Sequence, residues 1–385
     1  MRILHCLRAP IGGLFRHVCD LASEQARLGH AVGIVCDDGS VNALSERRLT
    51  ELEPHLELGL TRLAMSRHIS LSDLTAYRGT LRLVRSADVE VLHGHGAKGG
   101  AYARLAARAL KRDGRRVAAI YTPHGGSLHY DPSSLIGRIY LGLEQQLARL
   151  TDAVIFESAF AAETFRQKVG RLPGQVAIIP NGLTAADFMP HRPAADAADL
   201  LFVGELRQLK GVDVLLEAMA RIAAERPVGA VIVGSGPDAA SFKELAERLG
   251  LSGRVSFPGA MPVHDAFALG RCLVVPSRAE SLPYVVLEAV AAGVPLVATR
   301  VGGIPEIVDA DVAGLVPPGD PEALAVRLRA VLNAPAAARE TADRLKLALG
   351  SRFTVSAMAA SALSVYAACL EARPVVRHQE VPTAS

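Results

Sequence analysis

The sequence predicts an α/β protein of two doubly wound parallel-sheet domains facing a cleft. Three observations lead there. The chain has 385 residues, beyond the roughly 250–300 at which a single core stops growing. Short apolar runs alternate with helical periodicities, the rhythm of parallel strands joined by covering helices. That rhythm breaks at Pro180-Asn181-Gly182 and the Ala/Asp/Pro-rich stretch Thr184–Asp199, which reads as a linker.

The first series opens with a strand at Arg2–Leu7, a turn at Gly12-Gly13, a helix over Leu14–Leu28 and a strand at Ala31–Cys36. It continues with strands at Val89–His93, Val117–Tyr121, Ala153–Phe156 and Val176–Ile179, separated by helices over Gly99–Lys111, Ser133–Leu150 and Ser158–Val169. The second series has strands at Leu200–Val203, Ala230–Val233, Val255–Phe257, Leu273–Val275, Leu296–Ala298 and Gly314–Val316, with helices over Val212–Glu225 and Ala239–Leu249. A last helical pattern runs from Thr354 to Glu371, and the polar tail Pro374–Ser385 reads as flexible.

Composition narrows the class. Hydrophobic residues are 50% and charged residues 21%, which excludes a disordered chain. Aromatics are 4% and Trp is absent, so Ala, Val, Leu and Ile must build the core. A net charge of +3 gives no bulk argument for nucleic acid as partner. Cys6, Cys19, Cys36, Cys272 and Cys369 are odd in number and lack a CxxC spacing. Buried thiols in a reducing compartment fit them best, and a cytoplasmic location is expected. The first apolar run is too short for a signal peptide, and no run suits a membrane span.

Chemistry-bearing residues fall at strand ends, where open α/β sheets bind ligands. Gly12-Gly13 follows the first strand and opens a helix, exposing backbone donors to a ligand. A plain tight turn is the other reading, and the G-x-G-x-x-G dinucleotide fingerprint is absent. Val233-Gly234-Ser-Gly236-Pro237 is a second Gly-rich turn after a strand. His93-Gly94-His95 and His124, in Thr122-Pro-His124-Gly-Gly126, stand where strands end; a structural and a polar-site reading stay open for each. His-x-His lacks a third ligand in sequence and no Asp-x-Asp is visible, so no metal site is expected. Glu280 lies in a loop, and Glu288 eight residues on lies in a helix that starts near Pro283. The start of such a helix suits a diphosphate, and Glu288 one to two turns in could accept from a ribose diol. A solvated or capping acid is the alternative for Glu288.

These pieces together resemble the large retaining glycosyltransferase family 4 (glycosyl transferases group 1). The E-x7-E signature is Glu280 and Glu288, within Glu280-Ser-Leu-Pro-Tyr-Val-Val-Leu-Glu288-Ala-Val-Ala-Ala-Gly293-Val-Pro295, followed by Thr299-Arg-Val-Gly-Gly303-Ile-Pro305-Glu306. Gly12-Gly-Leu-Phe-Arg-His17 resembles the family's opening, Ile179-Pro-Asn181-Gly182 its hinge, and Val203-Gly204…Lys210-Gly211 its donor-phosphate loop. The resemblance covers nearly the whole chain and implies the GT-B fold, two Rossmann-like domains facing a cleft. It implies an N-terminal acceptor-side domain, 1–182 plus about 354–373, and a nucleotide-sugar domain, 183–353.

By position, the resemblance makes Glu280, His124 and Lys210 catalytic, and Arg207 is added to that set for a cation the family pattern has and this sequence lacks. It makes Gly12, Gly13, Gly204, Lys210, Gly234, Glu280, Ser281, Leu282 and Glu288 the donor-binding set. Glu280 and His124 are placed near the sugar, Glu288 at the ribose and Lys210 at the diphosphate. The family usually has Arg directly after the Gly of the phosphate loop; here Glu205 stands there. Arg207 is expected to supply that cation with Glu205 turned away. The implied reaction moves a hexose-type sugar from a nucleotide-diphosphate sugar to a glycan or lipid-linked acceptor with retention. It needs no cofactor and no metal. A sugar-nucleotide epimerase of the same fold, a non-catalytic nucleotide-sugar-binding subunit and a dehydrogenase are the competing classes.

For the acceptor side, Lys98–Arg116 carries seven Lys/Arg against Asp113. Arg104, Arg108, Lys111, Arg112 and Arg115 recur at helical spacing as one basic face, read either as solvated or as a peripheral contact with an anionic inner membrane surface.

Overall fold

In the computed structural model, residues 1–66, 70–126 and 130–372 are described. The tail read at Pro374–Ser385 lies outside them.

The first sheet is built from β1 (Arg2–Cys6), α1 (Gly12–Arg27), β2 (Ala31–Asp37), α2 (Ala43–Leu52), β3 (Gly59–Leu63), α3 (Ser72–Ser86), β4 (Val91–His95), α4 (Gly96–Arg112), β5 (Ala118–Thr122), α5 (Leu135–Ala148), β6 (Ala153–Phe156), α6 (Ala159–Lys168) and β7 (Gln175–Ile178). The second comprises β8 (Ala198–Val203), α7 (Val212–Ala223), β9 (Ala230–Val233), α8 (Ala239–Arg248), β10 (Val255–Gly259), α9 (Val263–Phe267), β11 (Gly270–Val275), α10 (Tyr284–Ala292) and β12 (Leu296–Ala298). Helices α11 (Ile304–Ile307), α12 (Pro321–Asn333), α13 (Pro335–Leu349) and α14 (Val355–Glu371) follow.

The strand orders are β3-β2-β1-β4-β5-β6-β7 and β10-β9-β8-β11-β12, and every strand pairing is parallel. Two doubly wound sheets are therefore present, and the order in each reverses beside its first strand. Such a reversal opens a crevice at the carboxyl ends of the strands. Helices cover both faces, so β2 is buried at all seven positions, and Ala31–Cys36 within it reads as an unbroken apolar run.

The chain passes between the sheets twice, side by side. Leu183 N–H donates to Phe353 C=O at 2.8 Å, and Val355 N–H donates to Leu183 C=O at 3.0 Å. Just beyond, the Thr354 side chain caps α14 by accepting from Ala357 N–H. Helix α14 then lies on the first sheet: Met358, Ala359, Ala362, Tyr366 and Cys369 join one core with Ile3, Leu21, Ile120 and Ile155. All five cysteines are buried free thiols.

Several elements differ from expectation. The segment between β2 and β4 holds α2, β3 and α3, and the segment after β12 holds α12 and α13; neither was anticipated. Strand β3 is a sheet edge with no fully buried residue, so it lacks the apolar alternation that marks a strand. The strand read at Gly314–Val316 is absent: Asp309–Gly314 is 3₁₀-helical, and Val316 makes one isolated bridge to Thr299. Strand β4 runs on to His95, which puts His93 inside the sheet.

The basic face on α4 is also corrected. Arg104 is fully buried; its guanidinium donates to Glu144 Oε1 at 2.6 Å and stacks 3.8 Å above the Tyr121 ring. Helix α5 packs on α4 and covers that position. Lys111 reaches Asp152 at 2.6 Å, and Arg115 lies 3.6 Å from Asp88. Arg108 and Arg112 remain exposed. Arg104→Ala leaves Glu144 charged and buried without its cation, and is expected to cost about 3–5 kcal/mol. Arg108→Ala is expected to stay within about 0.5 kcal/mol. Urea denaturation of the two variants beside the parent checks this; equal midpoints would refute the structural role given to Arg104.

Candidate functional site

The carboxyl ends of both sheets meet in one cleft. On the first sheet, β4 ends at His95, β5 leads to His124, and β6 leads to Glu157. On the second, β8 leads to Gly204, β9 to Gly234, and β11 to Ser277 and Glu280.

The floor of the cleft is a chain of buried imidazoles. His5 Nδ1 lies 3.0 Å from His95 Nε2, and His95 Nδ1 lies 3.0 Å from His124 Nε2. His124 Nδ1 lies 2.5 Å from Glu157 Oε1, and Ser281 Oγ donates to Glu157 Oε2 at 3.1 Å. His17 Nδ1 lies 2.9 Å from Asn181 Oδ1, while Asn181 Nδ2 donates to Leu282 C=O at 2.8 Å. Asn181 thus ties the first domain's histidines to the second domain's E-x7-E loop. Burial pushes His5 down to about 4 and His17 down to about 3, and it holds His93 and His95 well below the imidazole range. These four rings are neutral at pH 7. Burial alone would raise Glu157, yet the adjacent His124, with smaller help from His17 and Ser281, brings it below the usual carboxylate range.

His124 carries φ +50, a left-handed conformation that a histidine rarely adopts. Pro123 before it and Gly125 after it, itself at φ +77, let the chain turn sharply enough to aim the ring down at Glu157. Such local strain is characteristic of functional positions.

The walls carry charge. Lys210 Nζ donates to both Glu280 oxygens, at 2.7 and 2.9 Å, and Ser277 Oγ donates to Glu280 Oε1 at 2.7 Å. Gly211 has φ +70 and lies against the Pro276 carbonyl, so only glycine lets the lysine loop approach the Glu280 loop this closely. Gly234 packs on the Gly204 carbonyl and joins the two Gly-rich turns. Gly12 opens α1 at φ +68, and Gly13 faces the Tyr284 ring across the cleft. The side chain of Ser281 and the backbone of Leu282 serve the contacts above. Arg207 departs from expectation: it lies 3.7 Å from Glu205 on the same side of the loop, and both are exposed. Side chains two apart on an extended stretch share a direction, so Glu205 does not turn away from Arg207.

Arg16 is the residue that sequence reasoning missed. It sits one turn into α1 and reaches across the cleft to Glu288 on α10, and at 2.7 Å to Asp187. It also lies 3.3 Å from Asp20 and 4.5 Å from the centre of the Tyr284 ring. Burial works against the Arg16 charge, but Glu288, Asp20 and Asp187 outweigh it and hold the guanidinium protonated. Burial raises Glu288, with Arg16 opposing. The available signal was an arginine close behind a Gly-Gly turn and four residues before Asp20 on one helix face. The sequence reading also found no third imidazole for His93-x-His95; the fold brings His5, His17 and His124 to that pair.

Residues 11–186 match the Glycosyltransferase Family 4 family and residues 197–334 match Glycosyl transferases group 1. The D-inositol 3-phosphate glycosyltransferase of Kribbella flavida is 31% identical over 351 residues, covering 80% of this chain and 79% of that one. Glycogen synthase of Mycobacterium tuberculosis is 29% identical over 399 residues, covering 96% and 95%. Among solved structures, Anabaena Alr3699/HepE in complex with UDP and glucose superposes with a TM-score of 0.79 at 20% identity, covering 96% of this chain and all of that one, which shows a shared fold. Fold and cleft define a GT-B glycosyltransferase. The chain belongs to glycosyltransferase family 4.

Glu288 and Asp187 lie on the second sheet's side of the cleft and Arg16 on the first's, so their contact bridges it. Arg16→Ala is expected to open it, because two buried carboxylates without their cation gain by becoming hydrated. Small-angle scattering checks this as a larger radius of gyration than the parent's. An unchanged radius together with an unchanged denaturation midpoint would show that Arg16 does not hold the domains together.

Proposed function

We propose that this glycosyltransferase moves a hexose from a nucleoside-diphosphate sugar onto a glycan or lipid-linked acceptor, with retention of anomeric configuration and without a metal ion. The observation that carries the reading is the opposition of Lys210–Glu280 and Glu288 on one wall to Gly12-Gly13 and His124 on the other. Lys210 stabilises the leaving diphosphate, and the Gly12-Gly13 turn faces it across the cleft. Glu288 accepts from the ribose diol once Arg16 shares or releases it. Glu280, oriented by Lys210 and Ser277, and His124, oriented by Glu157, hold the sugar. The leaving phosphate takes the acceptor proton, so positioning and charge stabilisation supply the catalysis.

Arg207 sits beside Glu205 and Lys210 beside Glu280, so each cation acts on a diphosphate only as it turns from its carboxylate. Family membership favours transfer over the epimerase and dehydrogenase classes. Because Alr3699/HepE is solved with UDP and with UDP-glucose, UDP-sugars are the first donors to try. At a hundredfold excess over the dissociation constant, the right donor is expected to stabilise the protein by about 2.7 kcal/mol. That donor is expected to support transfer to a glycan acceptor panel equally well in EDTA, and product NMR is expected to report the donor's anomeric configuration. Loss of turnover in EDTA would overturn the metal-free reading. Donor binding without transfer or donor hydrolysis would return the protein to a non-catalytic class.

Among the described residues no helix is long and apolar enough to cross a membrane. Peripheral contact moves from α4 to α5. Leu135, Ile136, Ile139 and Leu143 are 73, 60, 50 and 46% exposed on one face of that helix. At its C-terminal end, Arg149 gathers with Arg108 and Arg112 around one basic pocket. An apolar stripe ending in a cationic cluster suits an anionic bilayer and a lipid-linked acceptor. The protein is expected to float with anionic vesicles but not with zwitterionic ones, and Ile136→Ser with Ile139→Ser is expected to abolish flotation. Equal partition to both vesicle types, or no partition, would count against membrane contact.

A further inference from the structure

The hydrogen-bond accounting of the histidine floor does not close. At one end Gln25 is oriented by Tyr366: its Nε2 donates to the Tyr366 hydroxyl at 3.4 Å, while that hydroxyl donates to His93 Nδ1 at 2.6 Å. Gln25 Oε1 therefore faces His5 Nε2, at 2.8 Å, and takes its N–H. His5 Nδ1 is then a lone pair, so His95 Nε2 must donate to it, which leaves His95 Nδ1 a lone pair as well. At the other end Glu157 takes the N–H of His124 Nδ1, which leaves His124 Nε2 a lone pair in the neutral ring. The two chains meet at the 3.0 Å contact between His95 Nδ1 and His124 Nε2, with no hydrogen between them. A third lone pair joins them. The Leu282 carbonyl fixes the Asn181 amide, so His17 donates from Nδ1, and its Nε2 is buried without a partner.

Three lone pairs that face one another suit one cation. One ring nitrogen from each of His17, His95 and His124 lies within 4.8 Å of the other two; a tetrahedral zinc site needs a spacing of about 3.3 Å, given Zn–N bonds of about 2.0–2.1 Å. A proton resolves only the His95–His124 contact and leaves His17 bare. A metal ion satisfies all three. Each ring also has the outer partner that imidazole ligands ordinarily carry: Asn181 behind His17, His5 behind His95 and Glu157 behind His124. The neighbouring trio of His5, His93 and His95 fits less well, because both nitrogens of His5 and of His93 are already bonded. Three neutral imidazoles suit zinc-class ions and not magnesium.

We propose that His17, His95 and His124 bind one zinc-class divalent ion at the floor of the cleft, and that the bound ion blocks sugar transfer. The inhibitory half rests on the functional reading above, which puts the sugar beside His124. The ion enters when the cleft opens.

The test uses the full chain stripped with a chelator and then dialysed. Calorimetric titration with zinc sulfate is expected to give one ion per chain. X-ray absorption of the loaded protein is expected to show three imidazole nitrogens at about 2.0–2.1 Å. His17→Gln is expected to weaken binding at least tenfold, Glu157→Gln by about 10–100-fold, and His264→Ala not at all. No binding, fewer than three imidazoles, or unchanged affinity in a folded His17→Gln variant would overturn the site. Should that variant not fold, the absorption spectrum of the parent decides alone. Zinc is expected to stop transfer and EDTA to restore it. Stoichiometric binding with transfer unaffected would overturn the inhibitory half and remove His124 from the sugar pocket, while upholding the ion site.

Discussion

A guanidinium surrounded by carboxylates joins the two halves of this molecule. Arg16 faces Asp20 on its own helix and Asp187 and Glu288 on the opposite domain. Arg48 adds a second cation on Asp20 at 2.6 Å, and His264 lies 3.1 Å from Asp187. Removing so many charges from water is costly, and Coulomb attraction offsets that cost only while the geometry persists. The closed cleft is thus held by an interaction that water competes with directly. Once the domains part, each carboxylate can be hydrated and the reason for closure weakens. On the proposed function, a ribose diol donating to Glu288 would take up part of the role that Arg16 plays, which would couple ligand binding to the contact across the cleft.

The backbone fits that picture. The two crossings between domains run beside each other, joined by the hydrogen bonds of Leu183 with Phe353 and Val355. Two adjacent stretches of chain thus form the covalent link between the domains. Helix α14 is locked to the first sheet through Tyr366, whose hydroxyl reaches His93 at 2.6 Å. The returning helix therefore packs beneath the histidine floor and sets the orientation of Gln25 and His93. A segment that reads as a plain C-terminal helix is part of the support of the site.

The fold was largely legible in the sequence because parallel strands buried on both faces leave continuous apolar runs, as in Ala31–Cys36. It was illegible where burial is one-sided or partial: the edge strand Gly59–Leu63 and the amphipathic helices α12 and α13. The walls of the cleft were legible through Glu280, Glu288 and Lys210, which stand in recognisable local patterns. Arg104 misled because helical spacing gives direction but not what covers a face, and helix α5 covers that one. The histidine floor was illegible for another reason. His5, His17, His95 and His124 come from four segments, and only the sheet order β1-β4-β5 makes them neighbours. Glu157 and Asn181 likewise carry no local signature of partnering imidazoles.

The floor and the clasp place opposite demands on the same cleft. The clasp tolerates water, since Arg16 keeps 23% of its side chain exposed. The floor differs: burial makes charging His5, His17, His93 or His95 unfavourable. Glu157, brought low by His124, is the floor's one fixed negative charge among the described residues that contact these rings. On the proposed function, a sugar entering above them would find ring lone pairs as acceptors for its hydroxyl groups, since the ring N–H groups are taken by Gln25, His5, Asn181 and Glu157. In the proposed reaction the leaving group's charge would develop at the opposite wall, beside Lys210 and its partner Glu280. The proposed function thus divides the cleft between a hydrogen-bonding floor for the sugar and a lysine on the wall for the leaving group.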